Sequence, residues 1–202
     1  MDSKDTIRKN LEQAREILEQ FASEGQNMEA IARAAQLMAE ALRGGGQVIA
    51  CGNGGSLCDA THFAEELTAR FRGNRRALRA VAINDAAFIT CVGNDFGFEQ
   101  CFSRYVEAYG SKGDVLLAIS TSGGSPNVVN AARMASSLGM KVVGLTGKGG
   151  GELAGMCDVE IRAPRSQYSD RPQEIHIKVI HTLVQIIEAE LGVDKQEQKV
   201  EK

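Results

Sequence analysis

Apolar and polar positions follow two rhythms along this chain. Residues 5–23 place Ile7, Leu11, Ala14, Leu18 and Phe21 at spacings of 4, 3, 4 and 3, which lines one face of a helix. Residues 28–43 repeat the device with Ile31, Ala35, Met38 and Leu42, and Gly44-Gly45-Gly46 ends it. Beyond them the apolar positions become continuous. Runs at 47–51, 79–83, 114–119, 141–145 and 158–161 predict five strands, and unbroken apolarity suits strands covered on both faces of a parallel sheet. Helical stretches are expected near 56–70, 97–108, 126–138 and 150–156. A last helix over 171–191 carries Ile175, Val179, Leu183 and Ile187 in a stripe that Ile180, Val184 and Leu191 widen. Alternating strand and helix predicts an α/β class, a doubly wound five-stranded parallel sheet flanked by helices, with extra helices at its N-terminus. Residues 1–193 read as one domain, and 194–202, almost all charged or amide, as a disordered tail.

Charge and composition narrow the function classes. The 202 residues carry 23 basic and 26 acidic side chains, a net charge of −3, so the basic footprint that nucleic acid requires is missing. No apolar run approaches the ~20 residues that span a bilayer, and the first residues lack a secretory pattern, so a cytoplasmic protein free of membrane is expected. Gly is enriched, at 22 residues, while Pro stands at 3, which suggests close backbone approaches rather than a linker. The five cysteines are scattered without a C-x-x-C pair and read as buried reduced thiols.

Ligands of open α/β sheets bind beyond the carboxyl ends of strands, and three loops stand there. Gly52-Asn53-Gly54-Gly55-Ser56 lets backbone N–H groups close on an anion at a helix N-terminus, with Ser56 read as the N-cap and Asp59 as its capping-box partner. Ser120-Thr121-Ser122-Gly123-Gly124-Ser125-Pro126 crowds hydroxyls into a phosphate cradle, and Pro126 at the first helical turn makes Ser125 the N-cap. Thr146-Gly147-Lys148-Gly149-Gly150-Gly151 lacks the Ser or Thr of a P-loop and reads as a flexible loop. Gly52-x-Gly54 with Asp85 begins a dinucleotide fingerprint, but Leu57 stands where the third glycine belongs, so NAD-type binding is set aside.

Three histidines carry most of the candidate chemistry. His62 and Glu66 lie four apart on one helix face, a common metal-ligand spacing. His176 and His181 diverge by roughly 140° on the last helix, so only one faces a given site. Gln173 and His181 lie about 12 Å apart along a straight helix. They reach one small ion only if the helix starts after Gln173 or a second subunit contributes. The cluster Arg70, Arg72, Arg75, Arg76 and Arg79 reads as a solvated loop, with Arg70 the best placed to help bind an anion.

Together the loop 52–56, His62-Phe63-Ala64-Glu65-Glu66-Leu67 and the serine loop resemble the sugar isomerase (SIS) domain family. The segments 91–97 and 170–181 narrow the resemblance to its phosphoheptose isomerase branch, over roughly residues 5–192. The resemblance implies interconversion of sedoheptulose 7-phosphate and D-glycero-D-manno-heptose 7-phosphate, the first step of ADP- or GDP-heptose synthesis, the former feeding lipopolysaccharide. It implies a homotetramer with shared active sites and one zinc per subunit, held at His62, Glu66, Gln173 and His181. It places substrate against Asn53, Gly54, Gly55 and Ser56, against Asn94 and Asp95, against Ser120, Thr121, Ser122 and Ser125, and against Glu66 and Gln173. Moving a proton between adjacent carbons through an enediol needs a base at carbon and an acid/base at oxygen, roles assigned to Glu66 and His181. The competing expectations are a non-catalytic SIS module of the replication-initiator-associating type and an isomerase of another phosphosugar.

Overall fold

Each continuous apolar run becomes one parallel strand of a single sheet in the computed structural model, which describes residues 2–193; the expected charged tail lies outside the described residues. The strands are β1 (Val48–Gly52), β2 (Ala80–Ala82), β3 (Val115–Ser120), β4 (Lys141–Thr146) and β5 (Val159–Arg162), in the order β2-β1-β3-β4-β5. Alternate residues serve opposite layers, as strand geometry demands. Val48, Ala50, Leu117 and Ile119 share one hydrophobic core with residues of α1 (Ser3–Ser23), α2 (Gly25–Arg43), α3 (Gly55–Thr68) and α8 (Asp170–Glu190). Ile49, Cys51, Leu116 and Ala118 pack against α4 (Ala86–Asp95), α5 (Cys101–Tyr109), α6 (Pro126–Ser137) and α7 (Gly151–Ala154). The doubly wound parallel sheet expected from sequence is therefore the observed architecture. Because α3 leaves β1 for one face and α6 leaves β3 for the other, a crevice opens between the carboxyl ends of these two neighbours.

Several elements depart from expectation. Helix α4 was not predicted, since its Ile, Thr, Val and Gly content disguises it. Its start is set by Asp85, whose carboxylate accepts from the Phe88 N–H at 2.6 Å. The helix expected over 97–108 begins only at Cys101, after a 3-10 turn over Phe98–Gln100. In α1 only Ile17 and Phe21 are buried; Ile7 and Leu11, in the first half of its stripe, are 59% and 67% exposed. Cys51 and Cys101 are buried as expected, but Cys58 and Cys91 are exposed. No helix among the described residues is long and apolar enough to cross a membrane.

Candidate active site

The first loop forms because glycine alone fits its backbone. A Cβ at Gly52 would stand 2.7 Å from the Ser56 carbonyl oxygen, and Gly54 caps α3 at φ 54°, where L side chains are strained. The expected Ser56 cap is thus corrected: Ser56 lies inside the first turn, buried, and its N–H bonds to the Asn53 carbonyl. Asp59 closes no capping box either. Its carboxyl is buried with Oδ2 lacking a partner, and burial pushes its pKa up to about 6 against a downward pull from His62.

The second loop gathers hydroxyls as expected. Ser120 Oγ lies 3.1 Å from Ser125 Oγ and 3.4 Å from Ser122 Oγ. Ser125 is the N-cap of α6 and Pro126 its first residue. The Gly123 and Gly124 N–H groups turn onto the Ser120 and Ser122 hydroxyls, and Thr121 is half-buried beside them. The loop at 146–151 is not the free segment expected from its glycines. A Cβ at Gly123 would overlap the Gly150 carbonyl oxygen, and the Leu153 N–H bonds to the Gly123 carbonyl at 2.9 Å. The glycines of this loop permit that close stacking onto the serine loop.

Helices α3 and α8 bring the third group together. His62 Nε2 lies 2.9 Å from His181 Nε2 and 3.2 Å from Glu66 Oε1, and donor atoms of the three residues lie within 4.8 Å of one another. Phe71 stacks on His181 with ring centroids 5.7 Å apart. Two imidazole nitrogens and a carboxylate oxygen are a donor set suited to zinc and to other divalent transition metals, so the chemistry of these three side chains fits such an ion. An open groove of about 490 Å³ adjoins them, lined in part by Leu57, Thr61, His62 and Asn84. Asn84, which donates to Thr61 Oγ1 at 3.2 Å, carried no sequence signal.

Gln173 takes a different place. Helix α8 begins at Asp170, so the first route to a shared ion, a helix starting after Gln173, is closed. The Gln173 amide packs on Gly55, where a Cβ would meet it at 2.6 Å. Gly55 and His62 are two helical turns apart, roughly 10 Å, so within one chain Gln173 lines the first loop rather than the histidine pair. The pairings Gly55 with Gln173 and His62 with His181 show α3 and α8 running side by side in the same sense. His176 faces away from this site, wholly buried, bonded through Nε2 to the Thr146 carbonyl at 2.8 Å. Asn94 and Asp95 are exposed at the end of α4, where Asn94 donates to Asp95 at 2.7 Å. Among the described residues no hydrogen bond links that pair to either loop.

Two residues outside the expected set organise the site. Arg75, read as solvated, is buried instead. Its guanidinium donates to the carbonyls of Glu66 at 2.6 Å and Leu67 at 2.8 Å at the end of α3, and to Glu188 of α8 at 2.7 Å. Asn127, 2% exposed, pairs with Asn53 through two amide hydrogen bonds of 2.9 and 2.8 Å. Neither had a local signal, because each acts on a residue distant in sequence.

The chain as a whole is similar to known proteins. Residues 10–147 match the SIS domain family model. The phosphoheptose isomerase of Escherichia fergusonii is 58% identical over 188 residues, covering 93% of this chain and 98% of the relative. A phosphoheptose isomerase structure from Francisella tularensis superposes with a TM-score of 0.88 at 40% identity, covering 94% of this chain and 100% of that one. One from Neisseria gonorrhoeae does so with a TM-score of 0.87 at 37% identity, over 93% of this chain and all of the other.

Proposed function

The chain belongs to the phosphoheptose isomerase family of SIS-domain proteins, and from that premise we propose that it interconverts sedoheptulose 7-phosphate and D-glycero-D-manno-heptose 7-phosphate. That it is an isomerase follows from family membership. The observation that carries the rest is the convergence of Glu66 with two imidazoles from helices over a hundred residues apart. The serine loop and the first loop supply hydroxyls and backbone N–H groups for the phosphate. Glu66 takes the proton from the substrate carbon, and His181 moves the proton at the neighbouring oxygens, as the enediol requires. The non-catalytic and other-phosphosugar readings are not favoured, given the 58% identity across nearly the whole chain.

His62, Glu66 and His181 would hold a divalent ion, which we take to be zinc, one per subunit; when bound, it supplies positive charge for a sugar oxygen. A cation beside Glu66 would lower its basicity unless the carboxylate were shared or released. Gln173 would join the set from a second subunit, consistent with its distance from His181 on the same helix. A homotetramer in the cytoplasm accords with this reading: the exposed Ile7 and Leu11 stripe offers a surface for another copy. The product would enter nucleotide-activated heptose synthesis.

Glu66→Gln tests the mechanism. In deuterated water the wild type should place solvent deuterium on the substrate carbon, and the variant should lose that exchange. Wild-type exchange in the variant would remove Glu66 as the base.

A further inference from the structure

Asn53 and Asn127 form a closed amide pair across the crevice, and the pair has a definite polarity. An amide's oxygen and nitrogen are told apart by their partners. The backbone N–H of Val128, which can only donate, points at Asn127 Oδ1 from 3.0 Å. That atom is therefore the oxygen, and the Asn53 atom 2.9 Å from it must be the nitrogen. The return bond, from Asn127 Nδ2 to Asn53 Oδ1 at 2.8 Å, closes the ring. The Asn53 carbonyl oxygen is thereby engaged by Asn127, and among the described residues the second Nδ2–H of Asn53 has no partner.

We propose that Asn127 is a positioning residue that holds the Asn53 amide so that it offers the sugar phosphate a donor rather than an acceptor. The inference rests on the phosphosugar reading above. Asn53 directly follows β1, and Asn127 is the second residue of α6, which follows β3. The pair thus bridges the two strands whose helices leave to opposite faces, where the ligand crevice opens. Asn127 is almost wholly buried while Asn53 is half-buried, so one amide is the anchor and the other the presenter. An oxygen-rich anionic substrate is attracted by the N–H edge and repelled by the carbonyl edge. Without Asn127 the Asn53 amide is free to turn and show either.

A mutant cycle in KM tests this. Asn127→Ser retains a side-chain oxygen beside the Val128 N–H but removes the amide ring, and it leaves the Ser125 cap of α6 untouched. A donor to a non-reacting oxygen binds ground and transition states alike, so Asn127→Ser should raise KM for sedoheptulose 7-phosphate about tenfold with kcat held within about threefold. Asn53→Ala should raise KM at least as far, and the double variant should be no worse than Asn53→Ala alone. A merely structural role would lower the active fraction, and so the apparent kcat, with KM unchanged. Unchanged KM in Asn127→Ser, or effects of the two substitutions that multiply, overturns the proposal. Wild-type turnover separately tests the phosphosugar reading. Were turnover absent, the same cycle read as dissociation constants for sedoheptulose 7-phosphate by calorimetry still decides the role of Asn127.

Discussion

His176 and His181 lie five residues apart on one helix and have opposite surroundings. His181 meets His62 at the site, whereas His176 is wholly buried and burial pushes its pKa down to about 4. Between that value and the ordinary value near 6.5 the unfolded chain takes up a proton that the folded chain refuses. Stability attributable to His176 is therefore full above about pH 6.5 and falls on acidification, by about 1.4 kcal/mol per pH unit, until about pH 4. Asp59, raised to about 6, acts in the opposite sense, because the folded chain keeps its proton to higher pH. His176→Gln retains an amide donor for Thr146 but does not titrate. Urea unfolding of both proteins should show the wild type losing ground to the variant as pH falls through that window; a difference independent of pH would mean that His176 titrates normally. The divergence of the two rings is legible in sequence from their spacing. Which ring is buried is not, because Thr146 comes from another element. The same division runs through the serines: Ser125 announces itself as a cap beside Pro126, while Ser56 loses that role to the left-handed backbone of Gly54.

At the scale of elements, α3 and α8 hold the donor cluster, and Arg75 ties them just beyond it. The Arg75 and Glu188 side chains are 1% and 7% exposed, so both charges depend on each other and on the carbonyls at the end of α3. Arg75→Met should cost about 3–5 kcal/mol in urea unfolding, since Glu188 is left buried and unpaired. Adding Glu188→Leu should recover part of that loss by removing the stranded charge. If nothing is recovered, the carbonyl caps rather than the ion pair dominate. All five strands and most helices are legible in the chain, because continuous apolarity and a 3.6-residue stripe are local patterns. Helix α4 is the exception: its residues favour strands locally, and packing of Val92, Phe88 and Ile89 on the second layer decides otherwise.

For the whole molecule, the first half of α1 poses the main question of assembly. Its sequence stripe is real, yet Ile7 and Leu11 find no cover among the described residues. Ile7→Asp with Leu11→Asp should leave the monomer fold intact, lower the mass seen by analytical ultracentrifugation and reduce activity with it. A variant that keeps the wild-type mass would remove this face as the proposed contact between copies. The chain by itself determined the α/β class, the five strands, the serine cradle and the pairing of His62 with Glu66, since each is written in neighbouring residues or in helical spacing. Tertiary structure alone decided that His181 joins that pair, that Gln173 stands at Gly55, that Arg75 is buried and that Asn127 pairs with the Asn53 amide. Those outcomes depend on which strands lie side by side and how two helices align, and side chains far apart in sequence carry no local mark of such meetings.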